Sequence, residues 1–183
     1  EIDLLLGTLF SVTGDLPRAA ESLLSTLSRG APLAEVAPVL GEVYLMQGDL
    51  ARAIEMFRAL PEASLESTTR GNLALALFHS GDARAAVATL EASPEKPLPA
   101  EQASLLGEAL CTLEEWARGA ELYERLLETR TIDLAGMANL ALCLTRLGRH
   151  EEGDQTAAVV LAQRQLTPVD AAKAKLLATD LQC

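Results

Sequence analysis

The chain has 183 residues, enough for a sizeable buried core, and it is rich in alanine and leucine and poor in aromatics, which favours helix over strand. Fifteen basic residues against twenty-six acidic ones leave a net charge of −11, which repels a phosphate backbone and argues against nucleic-acid binding. No stretch is apolar over the eighteen or more residues that span a bilayer, which argues against direct membrane insertion.

The chain opens on Glu1-Ile2-Asp3, without an initiator Met and without a charged-then-apolar leader. That reads as a processed protein or a piece of a longer one. Its expected place is the cytoplasm, unless a segment upstream of Glu1 directs it to the periplasm or tethers it to a membrane.

In chain order, Leu6-Gly7, Phe10, Gly14-Asp15, Ala19 and Leu23 predict helices near 2–13 and 16–29, with Gly30 as the stop. Leu40-Gly41, Tyr44, Gly48-Asp49, Ala53 and Phe57 predict a second pair near 34–47 and 50–60, ended by Pro61. Leu73-Ala74, Leu77, Gly81-Asp82, Ala86 and Leu90 predict a third, near 65–79 and 83–92. Pro94, Pro97 and Pro99 then make a stiff, extended connection. The fourth pair carries Leu106-Gly107, Leu110, Glu114-Glu115, Trp116, Gly119-Ala120 and Tyr123, and it lacks the turn glycine, so its corner is expected to close in another way. The fifth carries Leu140-Ala141, Leu144, Gly148-Arg149, Gly153 and Ala157. After Thr167-Pro168, residues 168–183 read as one further helix that covers the end of the stack.

Leu6, Leu40, Leu73, Leu106 and Leu140 follow one another at intervals of 34, 33, 33 and 34 residues. That register divides the chain, read as a single domain, into units of about 1–33, 34–66, 67–99, 100–133 and 134–167. Within a unit each residue type has a steric task. Gly41 and Ala53 are read as small because two helices touch there backbone to backbone, and Tyr44 and Phe57 as filling either side. Gly48 allows the positive φ that ends the first helix, and Asp49 caps the second.

These offsets resemble those of tetratricopeptide (TPR) repeats over nearly the whole chain. The departures are the absent Trp at the start of each first helix and the missing turn glycine of the fourth copy. The resemblance implies an all-α, right-handed solenoid of five helix–turn–helix repeats in which the first (A) helices line a concave groove. It also implies a non-enzymatic scaffold or chaperone that binds a protein or peptide segment, with no cofactor or metal.

By that geometry the groove residues are Val39, Glu42, Leu45 and Met46 in the second copy, and Asn72, Leu75 and Phe78 in the third. Leu105 and Glu108 follow in the fourth, and Asn139 and Leu142 in the fifth. Leu4, Leu5, Thr8, Val12, Glu35, His79, Glu101, Cys111 and Arg146 line the same side. An apolar floor with scattered Glu and Asn suits an apolar segment carrying Lys or Arg. Asn72 and Asn139 fit the places used by TPR domains that grip a C-terminal carboxylate, but the basic residues that accompany them there are missing.

Catalysis finds little support. The two histidines, His79 and His150, lie about two repeats apart, and no metalloprotease, phosphate-loop or nucleophile-elbow motif occurs. Glu35 with Glu42, and Glu101 with Glu108, lie two turns apart on a helix, and nothing supplies an apolar pocket to make either an acid. Cys111, Cys143 and Cys183 have no metal-type spacing, and an odd number argues against a disulfide framework. Arginine outnumbers lysine, which is compatible with a GC-rich bacterium; among bacterial TPR proteins the expected counterparts are secretion-system chaperones and pilus-assembly factors. The alternative is a structural or oligomerisation module of a longer protein that self-associates through its ends or convex face.

Overall fold

The computed structural model describes residues 2–162. Among these residues there are ten α-helices, one short 3-10 turn and no strand. The helices are α1 (Ile2–Thr13), α2 (Leu16–Ser28), α3 (Leu33–Met46), α4 (Leu50–Arg58), α5 (Ser67–His79), α6 (Ala83–Glu91), α7 (Ala100–Thr112), α8 (Trp116–Glu128), α9 (Leu134–Arg146) and α10 (His150–Ala162). Each odd-numbered helix packs on the even-numbered one that follows it. The described residues are therefore all-helical, built from the five helix pairs that the leucine register predicts. The helix expected over 168–183 lies outside the described residues.

The contacts divide the chain into two compact units, one ending at Lys96 and the other beginning at Pro97. The division falls in the proline-rich stretch, which carries no helix. In the first unit α2 packs on α3 and α4 on α5, while the A helices α1, α3 and α5 touch in succession. In the second, α8 packs on α9, and α7 also reaches α9. Leu23, Leu40, Phe57 and Leu90 are fully buried in the first unit, and Tyr123, Leu140, Cys143 and Val160 in the second.

The glycine that follows Leu6, Leu40 and Leu106 has a different task from the one its size suggests. A Cβ built on Gly41 would lie 2.5 Å from Cε1 and 2.8 Å from Cζ of Phe57. The same relation holds between Gly7 and Leu23, and between Gly107 and Tyr123. Gly41 thus admits a ring from the following helix and does not mark a backbone-to-backbone contact. Each large residue follows its small partner by sixteen positions, so one repeat rule produces all three contacts.

All five corners close in one way. The residue at the turn donates its N–H three residues back, and the next residue donates five back, as in Asp49 N to Tyr44 O at 2.9 Å. Gly14, Gly48, Gly81 and Gly148 hold φ between 77° and 91° at this point. Glu114 takes the place of the glycine at φ 59°, and Glu115 N still reaches Leu110 O at 2.9 Å. The fourth corner therefore keeps the geometry of the others, with a left-handed glutamate in place of glycine. Asp15, Asp49 and Asp82 cap the second helices through the N–H groups of Arg18, Arg52 and Ala85. Asp49 also holds Arg52 at 2.6 Å, and the guanidinium lies over the Tyr44 ring at 4.5 Å. The Arg52 backbone N–H, and then its side chain, hold the Asp49 carboxyl below its ordinary pKa.

Candidate functional site

Leu40, Leu73, Leu106 and Leu140 are buried in the core, so the opposite side of each A helix carries the residues one before the marker leucine and two, five and six after it. In the first unit the row before the leucine holds Leu5, Val39 and Asn72, and the row two after it holds Thr8, Glu42 and Leu75. The outer rows hold Ser11, Leu45 and Phe78, then Val12, Met46 and His79. Val39, Leu45, Asn72, Leu75 and Phe78 are half-buried, while Glu42 is exposed. Val12 is 82% exposed and Met46 54%, at equivalent register positions. Because α1, α3 and α5 touch in succession, these rows make one continuous face. Glu35 and Glu42 stand in solvent beside it, and the Phe78 and His79 rings lie 5.9 Å apart at its end.

The equivalent face of the second unit is more polar. Leu105, Glu108 and Leu142 are half-buried on α7 and α9. Asn139 is placed differently from the groove position read in the sequence. It is buried, and its amide donates to the Tyr123 hydroxyl at 3.0 Å. Burial, with Cys111 next in weight, pushes the Tyr123 phenol above its ordinary range, so it stays neutral. The outermost row turns from Val12 and Met46 to Thr112 and Arg146 along the chain.

Two polar features escape the sequence reading. Cys111 and Cys143 bring their sulphurs to 3.4 Å across the α7–α9 contact. Arg70, on α5, is buried, with Nη2 donating to the Glu62 carbonyl at 3.1 Å and Nε without a partner. It lines a cavity of about 260 Å³ together with Phe57, Leu60, Leu65, Leu73 and Thr89. The register does flag it, because the same position holds Ala37 and Ala103 in neighbouring copies. Among the described residues, no group of three or more His, Cys, Asp or Glu is placed to hold a metal ion. Nor is any described helix long and apolar enough to cross a membrane.

Two family profiles, each described as tetratricopeptide repeat, match residues 4–66 and 68–92. Over residues 4–92 the chain belongs to the tetratricopeptide repeat family. Solved TPR structures share its fold at low identity. A tetratricopeptide repeat protein from Parabacteroides merdae superposes with a TM-score of 0.84 at 18% identity, over 98% of this chain and 72% of that one. YrrB, a TPR protein with an unusual peptide-binding site, gives 0.82 at 16%, over 94% and 90%. MamA gives 0.78 at 20%, over 91% and 95%. A search of curated protein sequences finds no match. The TPR profiles end at residue 92, before the two pairs whose corners carry Glu114-Glu115 and Gly148-Arg149. In those copies the Asp cap gives way to a Glu without a capping bond and to an Arg that pairs with Glu152 at 2.6 Å and Glu124 at 2.8 Å.

Proposed function

We propose that this TPR protein is a non-enzymatic interaction scaffold whose α1–α3–α5 face holds an apolar segment of another protein carrying Lys or Arg. The observation that carries this reading is the set of apolar side chains left toward solvent on that face. Val12, Met46, Leu45, Leu75 and Phe78 point away from a core already filled by Leu23, Leu40, Phe57 and Leu90. Glu35 and Glu42 beside them supply the acidic complement to a basic segment. The fold shared with YrrB, which has a peptide-binding site, supports the same use. Leu105, Glu108 and Leu142 offer a smaller face in the second unit, with Asn139 holding Tyr123 beneath it. A chaperone or assembly-factor role is the corresponding cellular expectation.

A second reading, self-association, rests on α1. Leu6 is 38% and Leu9 55% exposed, whereas their register equivalents Leu40 and Val43 are fully buried beneath the preceding pair. A second copy of the chain laid on α1 would cover them. Titration of the full chain with fluorescent peptides of Leu/Arg, Leu/Glu and Ser/Arg composition separates the two. Preferential binding of the Leu/Arg peptide, lost in Leu75→Ser/Phe78→Ser, supports the face. Concentration-dependent mass by light scattering, lost in Leu6→Glu/Leu9→Glu with peptide binding absent, supports self-association in its place.

A further inference from the structure

Cys111 stands five residues after its marker leucine, where the second and third copies carry Leu45 and Phe78. Cys143 stands three after the next leucine, where Val43, Ala76 and Ala109 stand in others. A position used elsewhere for apolar contact thus carries a thiol on each side of one seam. Space is made for both: a Cβ on Gly119 of α8 would lie 3.0 Å from the Cys143 sulphur and 3.7 Å from that of Cys111. The first two copies carry Ala19 and Ala53 at this point. Neither sulphur is in a disulfide, and Cys143 is fully buried while Cys111 is half-buried. The hydrogen bond to Cys111, and then burial, push the Cys143 thiol well above its ordinary pKa, and the half-buried Cys111 is the sulphur that solvent reaches.

We propose that Cys111 and Cys143 form a redox modification site, a thiol pair that small-molecule disulfides convert to an intramolecular bond between α7 and α9. The Cys111 thiolate attacks one sulphur of the oxidant, forming a mixed disulfide and releasing one thiolate. The Cys143 sulphur then attacks the Cys111 sulphur, its proton passing to the departing thiolate, and expels the second half of the oxidant as a thiol. Two protein thiols are oxidised and one disulfide is reduced to two thiols. A disulfide needs about 2.05 Å between sulphurs, so the pair has to close by about 1.4 Å. Side-chain rotation on two helices that already touch can supply much of that movement. The bond would staple the fourth repeat to the fifth beside Leu105, Glu108 and Leu142, closing a loop of some thirty residues.

The test uses the full chain carrying Cys183→Ser, so that only this pair is counted, incubated with oxidised glutathione. Free thiols should fall from two to none, with the chain monomeric on a non-reducing gel, no glutathione adduct by intact mass, and residues 111 and 143 joined in one peptide. Melting temperature should rise by about 5–15 °C and return on reduction. Cys143→Ser should trap a stable glutathione adduct on Cys111, and Cys111→Ser should leave Cys143 unreacted until the protein is unfolded. A wild-type pair that keeps both thiols, retains the adduct, or links only between molecules overturns the proposal.

Discussion

At the scale of single residues, two positions show how the repeat constrains side chains and how far it can bend. Gly41 has no room for a methyl group, because the Phe57 ring occupies that space. Gly41→Ala should cost about 1–3 kcal/mol by overpacking, measured as a loss of midpoint in urea. Pairing it with Phe57→Leu recreates the Ala74–Leu90 combination of the third repeat, and a double-mutant cycle should show favourable coupling between the two changes. Purely additive effects would mean that the ring is not the obstacle. Glu114 makes the opposite case, an exposed residue holding φ 59° where four other corners use glycine. Glu114→Gly should therefore stabilise the second unit by about 0.5–1 kcal/mol. Gly148→Glu, at φ 79° with open space around it, should cost a similar amount. The expectation that the fourth corner closes differently missed this, because a missing glycine says nothing about whether another residue adopts its φ.

At the scale of elements, the helices of the first three pairs were legible to within two residues, since glycine, proline and aspartate mark their ends chemically. The connection from α4 to α5 was not. Pro61 does follow the end of α4, but the 3-10 turn at Glu62–Ser64 and its attachment to Arg70 depend on a contact eight residues away in sequence. Arg70 is an arginine in an alanine position, with its side chain 5% exposed and its nearest carboxylate, Glu62, 3.9 Å away and 76% exposed. A charge held that loosely in a buried place gains little from its partner and keeps its desolvation cost. Arg70→Met retains the stem that fills the space beside Phe57 and Leu73 and leaves Glu62 in water. Its stability should be between unchanged and about 2 kcal/mol higher. Arg70→Ala instead enlarges the cavity of about 260 Å³ and should lower it. If both variants lose stability equally in thermal melts, the Glu62 carbonyl contact outweighs the desolvation.

At the scale of the whole molecule, the 33–34 residue register carried the fold and the rows of the candidate face, because both depend only on which residues recur at one offset. It could not reveal what lies across a seam. Asn139 shares its row with Val39 and Leu105, yet Tyr123 claims its amide, and the Cys111–Cys143 approach joins two different rows. The register also leaves open which unit binds, and side-chain chemistry favours the first. Leu75 and Phe78 lie on α5, adjoining α3, with Leu45 and Met46 on the neighbouring helix. Half-buried apolar anchors that a ligand covers fully carry most of the energy in such interfaces. Leu75→Ser/Phe78→Ser should then weaken the Leu/Arg peptide by about 2–4 kcal/mol while leaving the helical circular dichroism unchanged. Glu42→Lys acts on the same complex by another route. Glu42 is exposed beside the face, so its effect on a basic ligand is long-range and screened. Stopped-flow traces should show association slowed several-fold at low salt, with dissociation nearly unchanged and the difference vanishing by about 0.5 M salt. A Glu42→Lys effect that persists at high salt would mean a direct contact. An effect on neither rate would remove the basic character of the ligand from the proposal while leaving its apolar part to the Leu75 and Phe78 test.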